Sequence, residues 1–255
     1  MHIVGAAIVT GAGSGIGRAC AIRLATDGYP LVLNDISADR LDETIGLLDG
    51  HADGHVGDVG DERAVDELVS LALQRHDRLD VMVNNAGYGR PGTVEDTDDE
   101  LLDEMVRVNG KGVLHGMRSA LRPMKAQGNG SIVNIASTAG LFAAHDRAAY
   151  GAAKSLVLAL TRSAAVENGR FGIRVNAICP GPVLTPAMER FVPDPELYVG
   201  QLPMKRMGTP EEVAAVVAFL AGPDSTYVSG VALLVDGAMG ARLGSPVLAA
   251  GDLTA

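Results

Sequence analysis

The sequence predicts an α/β protein whose parallel sheet of about seven strands is doubly wound, with helices on both faces. Two observations carry this prediction. Short apolar runs alternate along the 255 residues with longer amphipathic segments, and a strict alternation of strand and helix favours a parallel sheet. The apolar runs are rich in Val, Ile and Leu, which is typical of strands that are buried on both sides.

The predicted elements follow one another without a break in the pattern. Strands are predicted at residues 6–9, 31–33, 79–83, 131–135, 173–178 and 231–235, with a further short strand that opens at residues 55–56. Helices are predicted at residues 15–27, 41–48, 62–74, 99–108, 113–125, 148–167 and 211–220. No linker, repeat or low-complexity tract divides these elements, so residues 1–255 are expected to form one domain.

Two segments depart from the alternation. Residues 182–208 follow Pro180 in a proline-rich stretch that is long for a loop. Stretches of this kind are usually lids or binding segments, so we expect residues 182–208 to form the substrate loop. Residues 240–255 are a short C-terminal tail without a clear period.

Composition and charge exclude several functions. The net charge of −10 argues against a general binder of nucleic acid, which needs a basic face. Cys20 and Cys179 lie far apart and outside any metal-like cluster, so no metal site is expected. The N-terminus lacks the basic start and cleavage site of a signal peptide, and no apolar run approaches the roughly 20 residues of a membrane span. We therefore expect a cytoplasmic protein without a membrane partner.

A glycine-rich turn, TGAGSGIG at residues 10–17, follows the first predicted strand and opens the first helix. Glycines let the backbone approach a pyrophosphate closely, and the helix N-terminus offers free N–H groups and a partial positive charge. The spacing G-x3-G-x-G differs from the best-known dinucleotide fingerprint, and a turn without a ligand is the alternative. The strand before it and the helix after it favour phosphate binding. The predicted contacts are Gly11, Ser14, Gly15, Ile16 and Gly17.

Asp35 ends the second predicted strand, 18 residues beyond Gly17. A carboxylate at this position can accept hydrogen bonds from the ribose hydroxyls of an adenosine, and it would repel the 2′-phosphate of NADP. Neither Ser14 nor Ile36 is the basic residue that a 2′-phosphate needs. The pattern therefore predicts NAD rather than NADP. A solvated carboxylate, or a cap for the helix that begins near Ser37, is the alternative.

Three residues are candidates for acid–base chemistry. Tyr150 and Lys154 are four residues apart on a predicted helix, so they share one face. An ammonium group near a phenol lowers the pKa of the phenol, and the pair can then act as a general acid and base. Ser137 follows the fifth predicted strand, at residues 131–135, where parallel sheets line their ligand crevice. Taken singly, an exposed helical pair and a capping serine explain these residues as well.

In their order along the chain, these motifs resemble the classical short-chain dehydrogenase/reductase family, which has a single-domain, doubly wound Rossmann fold. The resemblance runs from about residue 6 to residue 238. Further matching segments are Asp58-Val59, Asn84-Asn85-Ala86-Gly87, Asn109, Pro180-Gly181 and Val235-Asp236-Gly237-Ala238. In the last of these, Ala238 stands where the family has a glycine.

The resemblance implies an oxidoreductase that transfers a hydride between NAD and a secondary alcohol or ketone. Its implied catalytic residues are Asn109, Ser137, Tyr150 and Lys154. Tyr150 would move the proton, Lys154 would lower the tyrosine pKa and bind the nicotinamide ribose, and Ser137 would orient the carbonyl. Asn109 would hold a water that continues a proton relay.

The remaining implied contacts lie at both ends of the cofactor. Asp58 and Val59 would flank the adenine, Asn85 would lie near its ribose, and Val183 and Thr185 would contact the nicotinamide carboxamide. The family also implies a homotetramer, formed through the helices at residues 113–125 and 148–167 and the last strand. A catalytically silent NAD-binding regulator is one alternative, and an NAD-dependent epimerase or dehydratase is another. The complete catalytic set argues against the first, and the short chain after Pro180 against the second.

Overall fold

A computed structural model describes residues 5–48, 52–189, 192 and 195–241. Its strands form one seven-stranded sheet in which all neighbours are parallel. The strands are β1 (Ala7–Thr10), β2 (Leu31–Asp35), β3 (Ala52–Val56), β4 (Val81–Asn84), β5 (Gly130–Ile135), β6 (Ile173–Pro180) and β7 (Ala232–Val235). Their spatial order is β3-β2-β1-β4-β5-β6-β7. The predicted doubly wound parallel sheet is therefore confirmed.

Helices cover both faces of this sheet. They are α1 (Gly15–Thr26), α2 (Ala38–Gly46), α3 (Glu62–His76), α4 (Asp99–Met105), α5 (Gly112–Gln127), α6 (Ala148–Asn168), α7 (Pro186–Glu189), α8 (Pro195–Gln201) and α9 (Pro210–Ala221). Within the described ranges, no helix is both long and apolar enough to cross a membrane.

Neighbouring residues of one strand pack into two separate hydrophobic cores, one on each face of the sheet. Val9 packs with side chains of α1, α2 and α9 on one face of the sheet. Its neighbour Ile8 packs with side chains of α3, α5 and α6 on the other face. Side chains alternate between the faces of a strand, so a strand that is covered on both faces must be apolar at successive positions. This explains the continuous apolar runs in the sequence.

The strand order places a crevice at the carboxyl ends of β1 and β4. From β1 the chain winds outwards to β2 and β3, and it then returns to β4 on the other side of β1. The loops that leave β1 and β4 therefore diverge, and ligands of doubly wound sheets bind in the opening between them. The glycine-rich turn follows β1, and the segments that begin at Asn85 and Ala136 follow β4 and β5.

Several element boundaries differ from the predicted ones. Residues 55–56 end β3 instead of opening it, since the strand begins at Ala52. The helix predicted at residues 99–108 ends at Met105, and a π-helical turn at Val106–Lys111 joins it to α5. The substrate loop contains the short helices α7 and α8. Of the predicted tail, residues 242–255 lie outside the described residues.

Candidate active site

The turn after β1 has the backbone geometry of a phosphate cradle. Gly11 and Gly15 have positive φ angles of 63° and 52°, a region that favours glycine. A Cβ at Gly17 would lie 2.0 Å from the carbonyl oxygen of Gly11, so a larger residue does not fit there. Ser14 is the N-cap of α1, yet its side chain makes no capping hydrogen bond, and the first turn holds no acidic residue. The first N–H groups of α1 thus remain open to an anion, as a diphosphate requires.

Side chains of α1 and α2 hold this turn in place. The Arg18 guanidinium donates to the carbonyl oxygen of Gly13 at 2.6 Å and to the Thr44 hydroxyl at 2.9 Å. Thr44 in turn donates to the carbonyl oxygen of Ala12 at 3.0 Å. Sequence reasoning missed both side chains because they are 26 residues apart and no local pattern joins them.

Asp35 lies beside the turn, as predicted, but its carboxylate already has three partners. Oδ2 accepts from the backbone N–H of Gly13 at 3.0 Å, and Oδ1 accepts from the N–H of Ser37 at 3.0 Å. Oδ1 also forms an ion pair of 2.9 Å with the guanidinium of Arg40. Burial by itself would raise the Asp35 pKa, but the hydrogen bonds from Arg40, Ser37 and Gly13 outweigh it and hold the pKa below its usual value. The cap of α2 is Ser37, not Asp35.

The other predicted adenosine contacts stand at the ends of β3 and β4. Asp58 accepts from the backbone N–H of Gly60 at 2.8 Å and from Arg107 at 2.7 Å. Val59 is buried and packs beside Ala86, so the loops after β3 and β4 meet. The Asn85 side-chain amide donates to the carbonyl oxygens of Thr10 and Gly11. That contact ties β4 to the glycine turn.

The first residues of the substrate loop lie over the same turn. A Cβ at Gly15 would lie 3.2 Å from Cγ2 of Thr185, so Thr185 and the start of α1 are in close proximity. The Thr185 hydroxyl accepts from the N–H of Met188 at 3.1 Å. Val183 pairs with Gly208 in an isolated parallel bridge, which fixes the base of the loop. The structure therefore brings Thr185 to the start of α1 and holds Val183 at the base of the same loop.

Ser137, Tyr150 and Lys154 converge where β5 ends and α6 begins. The Ser137 and Tyr150 side chains lie close enough to interact, which acts to lower the pKa of Tyr150, and Oγ of Ser137 accepts from the N–H of Ala139 at 3.1 Å. Nζ of Lys154 lies 5.7 Å from the centre of the Tyr150 ring. The same Nζ donates to the carbonyl oxygen of Ile135 at 2.9 Å, which aims the buried lysine along the end of β5.

The pKa values of Tyr150 and Lys154 differ from the prediction that the lysine ammonium lowers the pKa of the phenol. Burial raises the pKa of Tyr150, and the nearby Ser137 side chain and the charge of Arg147 offset that rise only in part. Burial also lowers the pKa of Lys154 to about 8. The side chains alone therefore do not favour the phenolate, and a positive charge brought into the crevice would be needed to stabilise it further.

Asn109 completes the set from the π-helical turn and is fully buried. Its Nδ2 donates to the carbonyl oxygens of Tyr88 and Met105 at 3.0 and 3.1 Å. Its Oδ1 has no hydrogen-bond partner among the described residues. A Cβ at Gly87 would lie 2.5 Å from this Oδ1 and 3.4 Å from Nζ of Lys154. Glycine thus leaves a polar gap between the two groups, which suits a bridging water.

The crevice fits a dinucleotide cofactor from end to end. The glycine cradle and the open start of α1 suit a diphosphate, and the carboxylate of Asp35 stands at one end. The buried Oδ1 of Asn109 and the side chains of Ser137 and Tyr150 stand at the other. In the described part of the chain, no three His, Cys, Asp or Glu side chains cluster closely enough to hold a metal ion.

Known proteins resemble the chain over most of its length. The family model described as Enoyl-(Acyl carrier protein) reductase matches residues 11–239. The chain is 42% identical over 242 residues to 2-(R)-hydroxypropyl-CoM dehydrogenase from Xanthobacter autotrophicus, covering 91% of this chain and 97% of that one. It is 39% identical over 249 residues to levodione reductase from Leifsonia aquatica, covering 92% and 93% of the two chains.

Solved structures agree with these sequence matches. The crystal structure of levodione reductase has a TM-score of 0.91 at 38% identity, covering 94% of this chain and 98% of that one. A variant of actinorhodin polyketide ketoreductase, solved with NADPH, has a TM-score of 0.89 at 34% identity, covering 93% and 98%. Together with the site, these matches show that the chain belongs to the classical short-chain dehydrogenase/reductase family of nicotinamide-dependent oxidoreductases, which act on alcohols and ketones.

Proposed function

We propose that the protein is an NAD(H)-dependent dehydrogenase of a secondary alcohol, or a reductase of the matching ketone, with Tyr150 as the proton carrier. The observation that carries this proposal is the convergence of the Ser137 hydroxyl, the Tyr150 phenol and the buried amine of Lys154, whose Nζ lies 5.7 Å from the centre of the Tyr150 ring. This group lies in the same crevice as the glycine turn that suits a diphosphate. When it is bound, the nicotinamide ring accepts or supplies the hydride.

Each side chain has a distinct part in moving the proton. In oxidation, the Tyr150 hydroxyl oxygen takes the proton of the substrate hydroxyl, and in reduction it returns that proton to the carbonyl oxygen. The Ser137 hydroxyl forms a hydrogen bond with the same substrate oxygen and so orients it towards the Tyr150 hydroxyl. Since the pKa of Lys154 is near 8, its amine exchanges a proton at physiological pH. A water between Lys154 and Oδ1 of Asn109 passes that proton onwards.

The preference for NAD over NADP rests on Asp35. Its lowered pKa keeps the carboxylate negative at neutral pH, and a negative group beside the ribose opposes a 2′-phosphate. The NADPH-bound ketoreductase offers no support for this preference. The proposed single domain, homotetramer and cytoplasmic location rest on the sequence and the family. We see no feature that favours a silent regulator, an epimerase or a dehydratase.

The proposed chemistry is tested with a panel of secondary alcohols and NAD, following the absorbance of the reduced cofactor. Tyr150→Phe removes the acidic hydroxyl and keeps the ring, so we expect turnover to fall by about 100-fold or more while NADH binding persists. Tyr29→Phe is the matched control, because Tyr29 lies before β2 at the amino end of the sheet. Undiminished turnover in Tyr150→Phe would overturn the role of Tyr150. Cofactor binding without turnover on any substrate would favour a silent regulator.

A further inference from the structure

The ion pair between Asp35 and Arg40 stands where the cofactor preference is decided. A carboxylate offers about four lone-pair positions to donors. Backbone N–H groups of Gly13 and Ser37 occupy two of them, and the guanidinium of Arg40 takes a third. The Asp35 side chain is only 7% exposed, while that of Arg40 is 50% exposed. A ribose that reaches for Asp35 must therefore share the carboxylate with Arg40 or displace it.

The glycine turn holds this pair in contact with the phosphate cradle. A Cβ at Gly13 would lie 2.8 Å both from Cβ of Arg40 and from Oδ2 of Asp35. Arg40 is also the single basic residue of α2, which carries three acidic ones within Ala38–Gly46. The other arginine near the turn, Arg18, is paired with Glu43 at 2.9 Å and bonded to Gly13. Arg40 is thus the cation best placed to turn towards an added phosphate.

We propose that Arg40 is a specificity-determining residue that reduces the preference for NAD over NADP. It does so by neutralising Asp35 and by offering its guanidinium to the 2′-phosphate of NADP. This inference rests on the proposed cofactor site. The Arg40 guanidinium forms its 2.9 Å ion pair with Oδ1 of Asp35, a carboxylate oxygen that could accept a hydrogen bond from a ribose hydroxyl. Arginine binds phosphate in a bidentate manner, so a short rotation of its side chain would exchange a carboxylate partner for a phosphate partner. The enzyme then binds NADP(H) as well as NAD(H).

The experiment measures binding of NADH and NADPH separately, by their fluorescence, without any substrate. Arg40→Gln removes the cation, so we expect the ratio of the NADPH and NADH dissociation constants to rise by about tenfold or more. Most of this change should come from weaker NADPH binding. Arg40→Lys keeps the positive charge but lacks the planar guanidinium. Its ratio of dissociation constants should therefore lie between those of the wild type and Arg40→Gln. Arg63→Gln is the control, because Arg63 forms an exposed pair with Glu67 on α3.

Two failures of this experiment can be told apart. If Arg40→Gln and Arg40→Lys leave the ratio within about twofold of the wild type while both cofactors bind, the role of Arg40 is wrong and the proposed function stands. If neither cofactor binds the wild-type protein, the proposed function itself fails. A fall in NADH binding that equals the fall in NADPH binding would show that Arg40 only supports the turn, which also contradicts the proposal.

Discussion

At the scale of single residues, burial of Lys154 lowers the pKa of its amine and also reduces the stability of the folded protein. The residue is 3% exposed, and the one described hydrogen bond of its amine goes to the carbonyl oxygen of Ile135. Burial disfavours the charged amine, which lowers its pKa from 10.5 to about 8. In the unfolded chain the same amine regains its ordinary pKa, so the two states hold different numbers of protons between these values.

The contribution of Lys154 to stability therefore changes with pH. Below pH 8 both states are protonated, and the folded state carries the full penalty for a buried charge. Between about pH 8 and 10.5 the folded state has lost its proton and the unfolded state has not, so the contribution of Lys154 to stability improves as the pH rises. Above that range neither state is charged and the penalty vanishes.

Replacing Lys154 by Met should therefore stabilise the cofactor-free protein at pH 7. Removal of the buried charge gains free energy, and loss of the donor to Ile135 subtracts about 1 kcal/mol, which leaves a net gain on the order of 2 kcal/mol. Urea unfolding at pH 7 and at pH 10 measures this difference, which should shrink at the higher pH, while turnover is lost at both. A variant that is less stable at pH 7 than the wild type would contradict this account.

At the scale of elements, a buried chain of polar groups joins β4, β5 and α6. The Asn134 side chain accepts from the amide of Asn84 at 2.8 Å and donates to the hydroxyl of Thr161 at 2.9 Å. All three side chains are at most 3% exposed. Buried polar groups of this kind are stabilising only when each member is paired. The chain therefore fixes α6, and with it Tyr150 and Lys154, relative to the end of β5.

Breaking this chain at its centre should destabilise the protein strongly. Asn134→Leu leaves the Asn84 amide without its acceptor and removes the donor to the Thr161 hydroxyl, which keeps only its bond to the carbonyl oxygen of Val157. We therefore expect the free energy of unfolding to fall by about 2–4 kcal/mol. Thr161→Val removes a peripheral member and should cost about 1–2 kcal/mol. Denaturant titration of both variants gives the comparison. Equal stability of Asn134→Leu and the wild type would show that these buried hydrogen bonds add nothing to the stability of the protein.

At the scale of the whole molecule, β7 leaves one edge of the sheet exposed. It pairs with β6 on one side, and no further described strand covers the other side. Val231, just before this strand, and Leu233, within it, are both about one-third exposed. An edge with unpaired backbone groups and apolar side chains is a ready surface for another chain. We propose that this edge takes part in the homotetramer that the family resemblance implies.

The assembly is tested by analytical ultracentrifugation. We expect a tetramer for the wild type, and a shift to smaller species for Leu233→Glu, because a carboxylate at an apolar contact is left without water. Glu at an exposed position of a single chain would cost little stability, so the monomer should stay folded. Ser70→Ala on the exposed face of α3 is the control. A wild type that sediments as a monomer would refute the assembly.

The sequence by itself determined the fold class, because continuous apolar strands can be buried only between two layers of helices. Local patterns also located the glycine turn and Asp35, and the resemblance to the family singled out Asn109, Ser137, Tyr150 and Lys154 as candidate catalytic residues. Only the tertiary structure decided how these groups are partnered. The pairing of Arg40 with Asp35, the clamp of Arg18 on Gly13 and the polar gap beside Gly87 join segments that no local pattern relates. The pKa of Tyr150 likewise depends on burial, which is a property of the packed molecule.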